Sequence, residues 1–259
     1  MTELPIIRVV DVDAELDAVA ARYKNAGGIG IDLLNSLGLQ ADGLLQRLPK
    51  PAREGLQDAT EAALKQAMKA AHKSRDMVPD QASWLNAAVS AAMGAAGGFG
   101  GLPTALAELP VTTTLLLRVI EGVAAEHGFD VTAENVRFDC VQVFAAGGPM
   151  EHDDGADLAF LSARTALSGA AVQGIVARIA PRLSVVLGQK LAAQAVPIFG
   201  AVAGAATNYA YTSYYTDMAH IHFGLRKLAI DADRDHAELV ADLRVRLEIL
   251  PAKTPVKTA

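Results

Sequence analysis

Apolar residues recur three or four positions apart along most of the chain, which is the spacing of an amphipathic helix. The clearest case runs from Leu56 to Ala71 and predicts one face of a long helix with Pro51 in its first turn. A row of lysines follows another face: Lys65, Lys69 and Lys73. Such a row is most often solvated, and contact with anionic lipid is its second interpretation. Alternation with a period of two is convincing only at residues 6–10, so the pattern predicts an all-α multi-helix bundle.

Capping residues, prolines and glycines predict where these helices begin and end. A first helix is predicted over residues 11–25, capped by Asp11 or Asp13. Three glycines are predicted to end it: Gly27, Gly28 and Gly30. Pro110 is predicted to open a helix over residues 111–126, and Thr132 to cap the next one, over residues 133–146. Further helices are predicted at residues 156–177, 181–195, 197–228 and 236–250.

Two segments rich in glycine and alanine, residues 81–107 and 191–216, contain no charged residue. The first is predicted to break after Ala96, at Pro103 and a glycine cluster formed by Gly97, Gly98, Gly100 and Gly101. The helix before this glycine break would be roughly 24 Å long, whereas the hydrocarbon core of a bilayer is about 30 Å thick. A buried core helix is therefore the preferred interpretation of the first segment.

The second uncharged segment forms most of the long helix predicted over residues 197–228, the longest element expected in the chain. Four tyrosines lie toward its end: Tyr209, Tyr211, Tyr214 and Tyr215. Amphipathic rings at such positions can meet a membrane interface or a polar group in a core. We prefer the core interpretation.

Composition and charge exclude several classes of function. The net charge of -6, without a basic stripe, gives no electrostatic footprint for nucleic acid. The single cysteine, Cys140, excludes an internal disulfide, fits a reducing compartment and is predicted to be a buried, inert thiol. The first residues lack the pattern of a secretory signal, so the expected location is cytoplasmic. The second interpretation of the lysine row adds peripheral contact with the inner membrane to this expectation.

Few residues suggest chemistry. His220 and His222 point about 200° apart on a helix and cannot share one metal ion, whereas His222 and Arg226 lie one turn apart. No phosphate-binding loop, dinucleotide fingerprint or hydrolase elbow is found, so no catalytic residue, metal or cofactor is assigned. Four polar residues in apolar surroundings are proposed to share an interior polar site, because a buried charge is costly unless paired: Glu108, Arg118, Asp217 and His222.

Three blocks of sequence resemble the EcsC family of bacterial proteins, particularly its proteobacterial branch. They are GLPTALAELPVTTTLLLRVIEGVAAEHGFD at residues 101–130, CVQVFAAGGP at residues 140–149 and the long segment at residues 190–228. Gln142 departs from the pattern, because many relatives have an acidic residue there. The resemblance covers residues 48–228, the family core. One helical domain is expected over residues 1–250, with an N-terminal arm at 1–47 before this core and a final helix at 229–250 after it. Residues 251–259 are predicted to form a disordered tail.

The resemblance implies a helical, hydrophobic, membrane-associated protein and supplies no reaction. The first hypothesis is therefore a non-catalytic protein that binds the membrane or an apolar ligand such as a lipid through its glycine-rich helices. The second is an enzyme, for example a hydrolase, that uses the interior polar site. The third is an adaptor that presents the helix at residues 51–74 to a protein partner. The oligomeric state is left open.

Overall fold

The computed structural model describes residues 10–36, 43, 45–75, 101–146, 159–162, 171–194 and 200–249. Within these ranges the chain forms helices and no strand, which confirms the all-α prediction. Three predicted features lie wholly or largely outside the described residues: the helix before Ala96, the glycines at 97, 98 and 100, and the C-terminal tail.

The N-terminal part consists of α1 (Val12–Asn25) and α2 (Gly28–Ser36). The carboxylate of Asp11 caps α1 by accepting a hydrogen bond from the Ala14 amide at 3.1 Å, as the sequence predicts. Only Gly27 turns the chain, with φ of +70°, whereas Gly28 and Gly30 lie inside α2. The prediction that all three glycines end the first helix was therefore wrong. Gly30 serves close packing instead, because a Cβ built there would lie 2.5 Å from the Cα of Ala210.

After a short 3-10 turn (Leu45–Arg47), the chain forms α3 (Lys50–Glu54) and α4 (Leu56–Arg75). Pro51 lies in the first turn of α3 as predicted, but Gly55 separates α3 from α4, so the expected single helix is two pieces. The predicted apolar face of α4 is confirmed, since Leu56, Ala63, Leu64 and Ala67 are all buried. Lys65 and Lys69 are exposed.

Prolines do not divide the next two long helices, α5 (Gly101–Glu126) and α8 (Ala171–Gln194). Pro110 lies inside α5 and Pro181 inside α8, so the predictions that each proline opens a new helix were wrong. An interior proline costs a helix about 3 kcal/mol. Burial of several large side chains on both helices offsets that cost: Leu109, Leu116 and Ile120 on α5, and Ile179, Leu183 and Val186 on α8.

Two shorter helices, α6 (Glu134–Gln142) and α7 (Ala159–Ser162), lie between α5 and α8 in the sequence. Ala133, not Thr132, is the residue that precedes α6, because the amide and hydroxyl of Thr132 donate to the carboxylate of Asp130 in the preceding turn. A 3-10 turn (Val143–Ala146) follows α6. Cys140 is fully buried.

The two last helices are α9 (Gly200–Asp231) and α10 (His236–Ile249). The described part of α9 has 32 residues and ends at Asp231, three positions after the predicted end. Tyr211, Tyr214 and Tyr215 are buried on α9, which confirms the core interpretation for these three tyrosines. The hydroxyl of Tyr211 donates to the Val186 carbonyl of α8 at 2.9 Å, and that of Tyr214 to the Ala146 carbonyl at 3.0 Å.

Helix α9 is the central element of the bundle. It contacts α5 and α8, which both also contact α4, and it contacts α1, α2 and α10 as well. The short helix α6 contacts α5 and α8 and is thereby placed beside α4. Among the described residues, no helix combines the length and the apolar character that crossing a bilayer requires.

Candidate functional site

The four residues of the predicted interior site lie on α5 and α9. Arg118 is half-buried on α5, and the side chain of Glu108 lies outside the described part. Asp217 accepts hydrogen bonds from Arg22 at 2.9 Å and from the Gly27 amide at 3.1 Å, so it fastens the corner between α1 and α2 to α9. His222 lies on another side of α9, near α6. A site shared by all four residues stays a prediction.

His222 is a buried histidine, only 3% exposed, at the junction of α6, α7 and α9. The ring of Phe160 stacks on it with centroids 6.2 Å apart, and Phe223 packs edge-on at 5.0 Å. Burial, with a smaller electrostatic contribution from His236, lowers the pKa of His222 to about 3. Its Nε2 lies 4.0 Å from Asp139, and neither ring nitrogen has a hydrogen-bond partner among the described residues. His222 is therefore neutral at pH 7 and forms no ion pair.

Asp139 instead pairs with Arg226, one turn after His222 on α9. Both side chains of this ion pair are mostly buried, and the Arg226 guanidinium also lies over the ring of Phe129 at 4.9 Å. The spacing of His222 and Arg226 in the sequence indicated a shared face of the helix. It gave no sign of Asp139, because that partner comes from α6, 87 residues earlier.

Two further histidines, His127 and His220, connect the end of α5 to a side of α9 that faces away from His222. His127 Nε2 and His220 Nδ1 are 3.1 Å apart, and His220 Nε2 lies 3.9 Å from Glu126. Burial and the nearby positive charge of Arg22 lower the pKa of His220 to about 4 and lower that of His127 as well. In the described ranges, no cluster of His, Cys, Asp and Glu could hold a metal ion.

A buried lysine lies between α5 and α8. The side chain of Lys190 is fully buried, and its ammonium donates to Thr112 Oγ1 at 3.4 Å. The sequence analysis missed Lys190, although it directly precedes the second uncharged segment. The backbone of Glu108 lies one turn before Thr112 on α5.

A cavity of about 320 Å³ opens between α4, α6 and α8. Its apolar wall consists of Met68, Phe138 and Val176, of which the last two are buried. Its polar edge carries three cations and one carboxylate: Lys65, Lys69, Arg137 and Glu134. Arg137 Nη2 donates to the Met68 carbonyl at 3.4 Å and so links α6 to α4 across the cavity. The arrangement combines an apolar surface with a positively charged edge.

Two of the lining residues, Lys65 and Lys69, belong to the lysine row that the sequence shows on α4, for which contact with anionic lipid is the second interpretation. Arg137, Phe138 and Val176 carry no signal in the sequence. They are brought to α4 only by the packing of helices that are distant along the chain.

Comparison with known proteins gives the family. The EcsC protein family matches residues 35–228, most of the chain. The chain belongs to the EcsC family. The matched region of this EcsC protein begins at the end of α2 and ends inside α9. No curated protein and no solved structure matches the chain significantly. Its assignment to the proteobacterial branch stays a prediction.

Proposed function

We infer that this EcsC protein binds an amphipathic, lipid-like molecule without catalysing a reaction, and that it associates with the membrane from one side. The cavity between α4, α6 and α8 carries this proposal, since small-molecule sites are typically concave, mostly apolar and furnished with a few polar groups. Its volume of about 320 Å³ is near the lower end of the usual range of about 300–1,000 Å³.

The adaptor hypothesis receives no support from the described part of α4. An adaptor helix would present an exposed apolar stripe to its partner. Leu56, Ala63, Leu64 and Ala67 are at most 5% exposed because α5 and α8 cover them. The polar face of α4 is left at the surface, and two of its lysines are at the edge of the cavity.

The first experiment is to purify the protein without detergent, extract it with organic solvent and identify the extracted molecules by mass spectrometry. We expect an amphiphile in near-stoichiometric amount. The variant Met68→Glu places a carboxylate in the cavity and should lose this molecule, because burying a charge beside Phe138 is costly. The control Gln66→Glu changes an exposed residue of the same helix and should retain it.

Fractionation of cells tests the proposed location. Peripheral association predicts that the tagged protein is found in the membrane pellet and is released by a high-salt or carbonate wash. Release by detergent alone would instead indicate inserted segments. A protein that carries no amphiphile and never sediments with membranes would contradict the proposal.

A further inference from the structure

The charges at the edge of the cavity are opposite in sign to the charge of the whole chain. The chain has a net charge of -6, yet the described residues that line the cavity include three cations, Lys65, Lys69 and Arg137, and one carboxylate, Glu134. Lys65 and Lys69 are one turn apart on α4 and therefore project from the same face. Arg137 comes from α6, on another wall. The cations thus surround the cavity from two helices.

Contacts within the protein use only part of the hydrogen-bonding capacity of these cations. Lys65 pairs with Glu61 at 3.4 Å, but its side chain is 50% exposed and such surface pairs are weak. One amino group of Arg137 donates to the Met68 carbonyl, while a guanidinium has five N–H donors in a planar fork. This fork matches the geometry of a carboxylate or a phosphate.

The apolar wall indicates what must be attached to such an oxyanion. Met68, Phe138 and Val176 offer no hydrogen bond to a second polar group, so the ligand part beside them is a hydrocarbon. A cavity of about 320 Å³ suits one chain segment better than the two chains of a bilayer phospholipid.

We propose that the cavity selects a single-chain amphiphile with an oxyanion head group, carboxylate or phosphate monoester, bound by Lys65, Lys69 and Arg137. The hydrocarbon lies on Met68, Phe138 and Val176. Glu134 weakens the attraction at the edge. This inference rests on the proposed function and adds the charge of the ligand to it.

Binding is measured by calorimetry on the full chain with four dodecyl compounds below their micellar concentrations. The anions dodecanoate and dodecyl phosphate should bind at least about tenfold more tightly than neutral dodecanol or dodecyltrimethylammonium. Their affinity should fall as salt is added, because the lysines are exposed to solvent.

Variants separate head-group recognition from damage to the fold. Lys69→Gln and Arg137→Gln should each weaken dodecyl phosphate about tenfold and leave dodecanol unchanged. Glu134→Gln should strengthen the anion about threefold, a gain that misfolding cannot produce. Lys50→Gln is the control, since Lys50 is a highly exposed lysine on α3 that does not line the cavity.

The outcomes are distinct. Equal binding of dodecanol and dodecyl phosphate would overturn the inference and leave the proposed function standing, whereas no binding of any dodecyl compound would overturn both. Competition by inorganic phosphate as strong as by dodecyl phosphate would show a site for free oxyanions and would also overturn the inference. Binding to anionic vesicles but not to dissolved monomers would assign the lysines to a membrane surface and overturn it as well.

Discussion

At the scale of single residues, His222 shows how burial sets a charge state. Its ring lies between Phe160 and Phe223, and it stays neutral because an imidazolium would lose its hydration there. An unfolded chain would expose the same ring to water, where its pKa is 6.5. The folded state therefore binds fewer protons than the unfolded state once the pH falls below about 6.5.

This difference predicts how stability depends on pH. Because the folded pKa is about 3, the contribution of His222 to the free energy of unfolding should decrease steadily as the pH falls from about 6.5. The variant His222→Gln removes the titrating group and should lose less stability between pH 7 and pH 5 than the unmodified protein, measured by urea unfolding. Lys50→Gln serves as the control. An equal pH dependence in both proteins would show that His222 is hydrated in the folded state.

The pair of Asp139 and Arg226 makes a second residue-scale prediction. Replacing Arg226 with Met leaves a mostly buried carboxylate unpaired and removes the contact with Phe129, so the loss of stability should be about 1–3 kcal/mol. The double variant Arg226→Met with Asp139→Asn should lose less stability than the two single variants lose together. Urea unfolding of all three variants measures these losses. Strict additivity would show that the ion pair does not contribute.

At the scale of elements, the sequence was a better guide to the buried faces of helices than to the residues at which helices end. The N-cap of α1 and the packed face of α4 were both found from local patterns. Local patterns did not predict that α5 and α8 continue through Pro110 and Pro181, because the burial that offsets the cost of each proline comes from contacts with other helices. The sequence predicts a helix end at Gly30, because a glycine often ends a helix. Its packing role depends on Ala210, which is far along the chain and gives no local signal.

The close contact between α2 and α9 can be tested at Gly30. In Gly30→Ala, the new methyl group would meet the backbone of Ala210 at 2.5 Å, so the helices must separate and stability should fall by about 1–3 kcal/mol. Gly28→Ala is a matched control in the same helix, where a Cβ meets nothing within 4 Å. That change should be neutral or should stabilise slightly. Equal thermal midpoints for the two variants would contradict the packing described.

At the scale of the whole molecule, the candidate site depends on the arrangement of distant helices. Local spacing placed Lys65 and Lys69 on one face of α4, and it gave their two possible surroundings, water or an anionic lipid. It could not find the cavity, since Arg137 and Val176 reach it through the packing of α6 and α8. The buried position of Lys190 was missed for the same reason, because the packing of the bundle decides whether a side chain is buried, and the residues next to it in the sequence do not.

The arrangement of α1 also has a consequence for the order in which the protein is made. The buried residues of α1, Leu16, Ala20 and Tyr23, face a bundle to which α9 and α10 contribute, and Arg246 of α10 pairs with Asp17 across 229 positions. On the ribosome, α1 therefore emerges long before α9 and α10, the helices that cover it. Its apolar face stays uncovered until those helices have been made, and a chaperone would bind it in that interval.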